Sequence, residues 1–412
     1  MFFEQSTEDD MIKNIENYYI ENIKQDDLIE MVKEIYTLID NYLLDDILLI
    51  SNPLFHENMI NEITSILNIS LTEIYLKDYS DQLDRFVENH ALYYMNNIMI
   101  NQRSSIKKGI NNIILSNKEI KCKIDILYLS NQPIQKTKEW YEYRNRMLTS
   151  SNLDKIFGSL ARRNSLIYEK CKPYCFKENN YINTESSLHW GNKYEPISIM
   201  IYEELYSTKI GQLGCMTHSI IKYLGASPDG INIDELNNKY GRLLEIKNIV
   251  NRDINGIPSE TYWVQMQIQM EVCNIDECDF FETRIKEYTN KEEFLLDNNV
   301  IKKGIILYFI SNKEIDNYVP FYIYMPLSII DIDEWINNTK EEYSSIYHYD
   351  LHTILYWYLD EYSCSYIPRN KRWFQALLPK IEETWNIIEY ERIHGYLHRM
   401  PKQRIKKCLV II

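Results

Sequence analysis

The sequence predicts an α/β protein in which a mixed core, residues 132–326, lies between two helical parts, residues 1–131 and 327–412. Three observations lead to this prediction. Apolar residues recur at three-and-four spacing in the first part, short apolar runs typical of strands follow from about residue 140, and helical spacing returns from residue 328. A chain of 412 residues is long enough for two or three domains.

The N-terminal part is predicted to be helical because segments such as 27–32 and 60–67 place apolar residues on one face, with acidic residues between them. No group of chemically active residues stands out here, so we interpret it as an added helical domain or a docking surface. An apolar run at 124–129, followed by Asn-Gln-Pro, predicts a strand and a turn. We therefore place a domain boundary at about residue 131.

Five segments of the core are predicted strands: 222–227, 242–249, 279–285, 305–310 and 318–324. The C-terminal part is rich in Trp and Tyr. It ends in a basic tail made of Arg399, Lys402, Arg404, Lys406 and Lys407.

The net charge of −15 argues against a surface that is basic throughout, so a nucleic-acid partner would need a local positive groove. The eight cysteines lack zinc-knuckle spacing, and we interpret them as reduced thiols rather than as ligands of a metal or an iron–sulfur cluster. The first residues do not form a secretory signal, and the apolar stretch at 318–332 is interrupted by Pro320 and Pro326. We expect a soluble, intracellular protein with no membrane partner.

The strongest chemical signal is Ser-Pro-Asp-Gly at 227–230, followed by Glu-Ile-Lys at 245–247. In a strand, Glu245 and Lys247 point to the same face, and a hairpin can bring Asp229 beside Glu245. Two carboxylates, with the carbonyl oxygen of Ile246, suit Mg²⁺ or Mn²⁺. Lys247 could then orient the attacking water or help to deprotonate it. Taken alone, so short a motif is more often a turn followed by a solvated ion pair, and its surroundings are what favour a metal site.

Two predicted helices flank this motif. The helix that opens near residue 190 has Tyr194, Ile197 and Ile201 on its apolar face, which leaves Glu195 at the flank, within reach of a metal. Since Pro196 suits a first helical turn, Glu195 could instead be an N-terminal cap. The helix over 262–270 has a buried stripe of Trp263, Met266, Met270 and Cys273. Gln265 and Gln269 lie on one flank and Gln267 on the other.

Five motifs in this order resemble the YqaJ-type viral recombinase family, the group of phage lambda exonuclease within the PD-(D/E)xK nucleases. They are Trp-x-x-x-Arg at 140–144 with Thr-Ser-Ser at 149–151, Gly-x-x-x-Glu at 191–195, Ser-Pro-Asp-Gly, Glu-Ile-Lys, and Tyr-x-x-Gln-x-Gln-x-x-Met at 262–270. Ser150 replaces the family's Ala. The resemblance covers about residues 140–286 and leaves both helical parts outside it.

The resemblance implies a restriction-endonuclease-like mixed central sheet flanked by helices, and exonuclease activity on linear duplex DNA ends. It implies metal ligation by Asp229 and Glu245, with Glu195 serving the metal from its helix and Lys247 positioning the water. Gln267 would support the active site, with Gln265 a less certain helper, and Arg144 and Ser151 would bind a terminal 5′ phosphate. A single-strand annealing protein and further copies of the chain are candidate partners.

Three functions remain open from the sequence. The first is a Mg²⁺-dependent 5′→3′ exonuclease for recombination or DNA-end processing, in the host cytoplasm or at a viral replication site. The second is an endonuclease or structure-selective nuclease on the same core, because a metal site does not fix substrate geometry. The third is a non-catalytic DNA-binding or scaffold protein.

Overall fold

The computed structural model describes residues 20, 23–75, 78–97, 103, 115–174, 183–311 and 320–401. Its first three helices, α1 (Gln25–Asp45), α2 (Phe55–Tyr75) and α3 (Ser80–Asn97), pack together around buried apolar side chains, with a 3₁₀ helix at Ile47–Ser51. The helical prediction for this part is therefore confirmed within the described residues.

The predicted strand at 124–129 is wrong, since these residues belong to α4 (Asn117–Leu129). Ser116 and Glu119 form a capping box upstream of the apolar run, which fixes a helix start. Ile124 and Leu127 are buried one helical turn apart. The local capping signal therefore outweighs the strand-like composition.

A seven-stranded mixed sheet forms the centre of the protein, in the order β2-β5-β6-β7-β10-β8-β9. Its strands are β2 (Ile210–Gly211), β5 (Gly230–Asn232), β6 (Leu243–Asn248), β7 (Glu277–Glu287), β8 (Lys303–Ser311), β9 (Phe321–Tyr324) and β10 (Tyr349–Pro368). The strands β6 and β7 are parallel, and the other neighbours are antiparallel. A second sheet joins β1 (Leu148–Thr149), β4 (Leu224–Ala226) and β3 (Met216–Thr217).

The remaining helices flank these sheets. They are α5 (Lys138–Asn145), α6 (Leu160–Cys171), α7 (Ser187–Leu205), α8 (Glu260–Cys273), α9 (Lys291–Leu296), α10 (Ile332–Ser345) and α11 (Lys371–His394), with short 3₁₀ helices at Ser150–Ile156 and Leu397–Arg399. The predicted α/β class, a mixed sheet flanked by helices, is confirmed. All five predicted core strands coincide with observed strands, although residues 318 and 319 lie outside the described residues.

The C-terminal part is not purely helical, which corrects the prediction for residues 327–412. The 20-residue strand β10 pairs with β7 on one side and β8 on the other, in the middle of the sheet. Its aromatic and β-branched side chains favour a strand, and both of its edges are paired. Of the predicted basic tail, Arg399 is ion-paired with Glu391, and the four lysines and arginines after it lie outside the described residues.

Among the described residues, no helix has both the length and the apolar character needed to cross a bilayer. The six cysteines in this part of the chain are free thiols.

Candidate active site

Asp229 and Glu245 lie side by side because of the register between two strands. Gly230 pairs with Leu244 in the antiparallel β5–β6 hairpin, so the residue before Gly230 meets the residue after Leu244. The Ile246 N–H donates to Asp229 Oδ2 at 2.7 Å. The predicted placement of Asp229 beside Glu245 in a hairpin is thus present. Ile246, whose carbonyl oxygen was predicted to face the metal, contacts Asp229 through its N–H.

The Glu245 carboxylate is fully buried and is held by three donors. Gln265 Nε2 donates to Oε1 at 2.6 Å, and Gln269 Nε2 donates to Oε2 at 2.6 Å. The Lys247 ammonium also contacts Oε1, and it lies 4.8 Å from the centre of the Tyr262 ring. Because both glutamines are neutral, they orient the carboxylate without cancelling its charge.

Gln267 does not reach this site, which corrects its prediction as a catalytic residue. Its Nε2 donates to the Pro368 carbonyl at 2.9 Å, and its Oε1 accepts from the Asn370 N–H at 2.7 Å. Residues two apart on a helix point in nearly opposite directions, whereas residues four apart share a face. Helix α8 therefore turns Gln265 and Gln269 towards Glu245, and Gln267 towards the end of β10.

Glu195 is in the middle of α7, so the alternative of an N-terminal cap is wrong. The helix begins at Ser187, and its cap is Ser186, whose hydroxyl accepts from the His189 N–H. Glu195 and Asp229 line one cavity of about 450 Å³. Lys136 also lines this cavity, and its Nζ contacts Glu195 Oε2 at 3.1 Å.

The neighbouring carboxylates affect the ionisation of Asp229. Burial raises the pKa of Asp229 well above its ordinary value, and the nearby charges of Glu245 and Glu195 raise it further. Burial alone would lower the pKa of Lys247. The carboxylates of Glu245 and Asp229 outweigh burial and raise this pKa above its usual range. Lys247 is therefore protonated at neutral pH, and its ammonium can donate hydrogen bonds but cannot accept them.

The donor chemistry of this site fits a hard divalent cation. Within the described ranges, no three His, Cys, Asp or Glu side chains close around one point tightly enough to hold an ion. Mg²⁺ in phosphate-handling enzymes commonly takes one or two carboxylates and completes its shell with water and substrate oxygens. Asp229 and Glu245 supply such a pair, and a cation would relieve the repulsion that raises the pKa of Asp229.

Arg144 and Ser151, predicted to share a phosphate site, do lie together. Arg144 donates to the Ser151 hydroxyl at 2.8 Å and to the Ser227 hydroxyl at 3.2 Å. Its guanidinium stacks 4.3 Å from the centre of the Trp140 ring, and Trp140 Nε1 also donates to Ser227 at 3.1 Å. Within the described residues, Arg144 forms no ion pair with the nearby Glu142.

The sequence reasoning missed three residues of the site. Gln269 lies one helical turn after Gln265, so its position on the same face of the helix could have identified it as a residue of the site. Ser227 belongs to the Ser-Pro-Asp-Gly motif that had already drawn attention to Asp229. Lys136 gave no signal, because only the folded chain brings its segment to Glu195.

Comparison with known proteins identifies residues 139–276 as a match to the YqaJ-like viral recombinase domain. Uncharacterized protein R354 of Acanthamoeba polyphaga mimivirus is 30% identical over 311 residues, which cover 66% of this chain and 56% of that protein. The chain therefore spans little more than half the length of this relative. The matched domain contains every residue predicted for the site, from Arg144 to Gln267.

Two solved structures are also similar. An alkaline exonuclease from Laribacter hongkongensis is 17% identical, with a TM-score of 0.38, covering 63% of this chain and 95% of that one. A phage-related exonuclease from Haemophilus somnus 129PT is 14% identical, with a TM-score of 0.33, covering 59% of this chain and 94% of that one.

Proposed function

We propose that this protein is a metal-dependent deoxyribonuclease that degrades linear duplex DNA from its ends. The match of residues 139–276 to the YqaJ-like viral recombinase domain supports this proposal. The observation that carries the proposal is the convergence of Asp229, Glu245 and Lys247 at the β5–β6 hairpin. Paired carboxylates beside a protonated lysine are suited to hydrolysis of a phosphodiester bond.

The cofactor in this proposal is Mg²⁺, with Mn²⁺ as a substitute. Asp229 and Glu245 would hold it, and Glu195, which lines the same cavity as Asp229, would serve it from its helix. The bound ion would supply charge stabilisation and an acidified water. Gln265 and Gln269 fix the orientation of the Glu245 carboxylate, and Lys247 keeps a proton at Nζ beside the developing charge.

The preference for DNA ends rests on the group formed by Arg144, Ser151 and Ser227. A guanidinium with two neighbouring hydroxyls matches the oxygens of a terminal phosphate. Ser227 is two residues from Asp229, so the same short segment links this group to the carboxylates. A 5′ phosphate held there would set the strand for 5′→3′ degradation, in recombination or DNA-end processing.

The mimivirus relative supports a viral setting, either the host cytoplasm or a viral replication site. Duplex DNA ends are the proposed binding partner. A single-strand annealing protein and further copies of this chain are the other proposed partners, on the strength of the domain match.

The test compares linear and closed circular duplexes of one sequence, with Mg²⁺ and with EDTA. We expect only the linear form to be degraded, and only when Mg²⁺ is present. The variants Asp229→Ala and Glu245→Ala should each lose this activity, while circular dichroism shows that both remain folded. Cutting of the closed circle would instead indicate an endonuclease. Binding of DNA with no cleavage of either form would indicate a scaffold protein.

A further inference from the structure

The segment 132–136 forms a wall of the cavity that contains Glu195 and Asp229. Gln132 Oε1 accepts from the Gly214 N–H at 2.6 Å, and the Pro133 carbonyl accepts from the Cys215 N–H at 3.2 Å. Gln135 Nε2 donates to the Leu213 carbonyl at 2.8 Å and to the Pro228 carbonyl at 3.0 Å. The segment is therefore fixed to the residue that directly precedes Asp229.

Lys136, the last residue of this wall, has a left-handed backbone with φ of 67°. This conformation costs free energy for any residue with a Cβ, and glycine would adopt it more easily. Its side chain reaches Glu195 in an ion pair of 3.1 Å whose members are 47% and 25% exposed. An exposed pair of this kind stabilises a fold very little. Stability thus gives no reason for a lysine at this position.

The surroundings of the ammonium suggest what else it does. The cavity is large enough for a nucleotide-sized group. Among the described residues that line it, Lys136 is the one with a cationic side chain, and Glu195 and Asp229 line it as well. An ammonium carries three N–H donors, and the contact with Glu195 uses one of them. A DNA strand approaching two carboxylates is repelled unless a cation lies beside its phosphates.

We propose that Lys136 binds a phosphate of the DNA strand in this cavity, and that its pair with Glu195 is exchanged for this contact when DNA binds. The inference rests on the proposed nuclease function. The ammonium neutralises Glu195 in the free protein and turns to the phosphate in the complex. The rigid wall and the left-handed backbone at Lys136 keep the ammonium on the carboxylate side of the cavity.

Three substitutions test this role by equilibrium binding of a short linear duplex in EDTA, where no cleavage occurs. Lys136→Met and Lys136→Gly should each weaken binding by about ten-fold, and Lys136→Arg should restore most of it. The slope of log affinity against log salt concentration should become shallower by about 0.9, the value for one lost phosphate contact. Thermal unfolding should show Lys136→Gly at least as stable as wild type, because strain is released.

Lys209→Met is a matched control. Lys209 forms an ion pair of 3.2 Å with Glu203, which lies on α7, the helix that also carries Glu195. It should leave both the affinity and the salt slope unchanged. Wild-type affinity and slope in Lys136→Met and Lys136→Gly would overturn the inference, as would a loss of stability in Lys136→Gly without weaker binding. This failure is distinct from failure of the proposed function, in which the wild-type protein itself does not degrade DNA with Mg²⁺.

Discussion

Replacing Gln269 by methionine tests how the Glu245 carboxylate is held. Gln269 Nε2 donates to Glu245 Oε2 at 2.6 Å, and neither residue is accessible to solvent. Methionine has a similar volume but no N–H donor. Since the Gln269 side-chain oxygen has no hydrogen-bond partner among the described residues, the substitution removes one contact, and the atom that loses its donor is Glu245 Oε2.

The size of the effect follows from this geometry. A hydrogen bond to a buried charged acceptor contributes about 1.5–3 kcal/mol, which corresponds to roughly 10–150-fold in an equilibrium constant. Glu245 keeps its contacts with Gln265 and Lys247. Loss of a residue that orients a metal ligand typically lowers metal affinity or activity by about 10–100-fold. We expect Gln269→Met to fall in this range.

The assay is the initial rate of hydrolysis of linear duplex DNA over a Mg²⁺ titration. Gln269→Met should raise the Mg²⁺ concentration needed for half-maximal rate and lower the plateau. Gln267→Met is the matched control, because this glutamine is equally buried on the same helix but bonds to Pro368 and Asn370. It should lower the free energy of unfolding in urea by about 1–3 kcal/mol and leave the Mg²⁺ dependence unchanged.

Two results would refute this reasoning. One is a Gln269→Met protein with a wild-type Mg²⁺ curve. The other is a Gln267→Met protein whose rate falls more than that of Gln269→Met, which would mean that α8 presents its opposite face to β6.

Three further predictions concern the neighbouring residues. Lys247→Ala should keep DNA binding in EDTA while kcat falls about 10²–10⁴-fold; equal losses of binding and rate would indicate a simple phosphate contact. Arg144→Ala should abolish a preference for 5′-phosphorylated over 5′-hydroxyl ends, worth about 1.5–3 kcal/mol, and the idea fails if the wild type shows no such preference. Because the pKa of Asp229 is raised in the folded state, the contribution of this carboxyl to wild-type stability should fall as the pH rises above about 4 and level off above the folded pKa. In the absence of metal, Asp229→Asn should therefore unfold at a higher urea concentration than the wild type at neutral pH, but not near pH 3. An increase in stability that is the same at both pH values would contradict the raised pKa of Asp229 as its cause.

Short-range relations in the site could be predicted from the sequence. Asp229 and Glu245 are joined by one hairpin, and the alternation of side chains in β6 places Glu245 and Lys247 on the same face. The helical phase likewise separates Gln267 from Gln265 and Gln269. The side of α8 that faces Glu245 depends on the docking of a whole helix, and no local pattern carries that information.

Long-range relations could not be predicted in the same way. The strand β10 carries aromatic residues on both of its faces, so its sequence lacks the alternation that marks a half-buried strand. The contact between Lys136 and Glu195 joins residues 59 positions apart. Such contacts arise when separate elements meet, which is why the sequence could suggest the reactive residues but not the wall beside them.

The position of β10 has a consequence for synthesis of the chain. It intercalates between β7 and β8, which precede it in the sequence but do not pair with each other. Until residue 368 is available, the inner edges of β7 and β8 have no partner and present unpaired peptide groups to other chains. A fragment that ends after residue 326 should therefore aggregate rather than accumulate as a shortened nuclease. A ribosome that stops before residue 368 would release a chain with an unfinished sheet, in which β7, the strand next to β6, lacks one of its two partners.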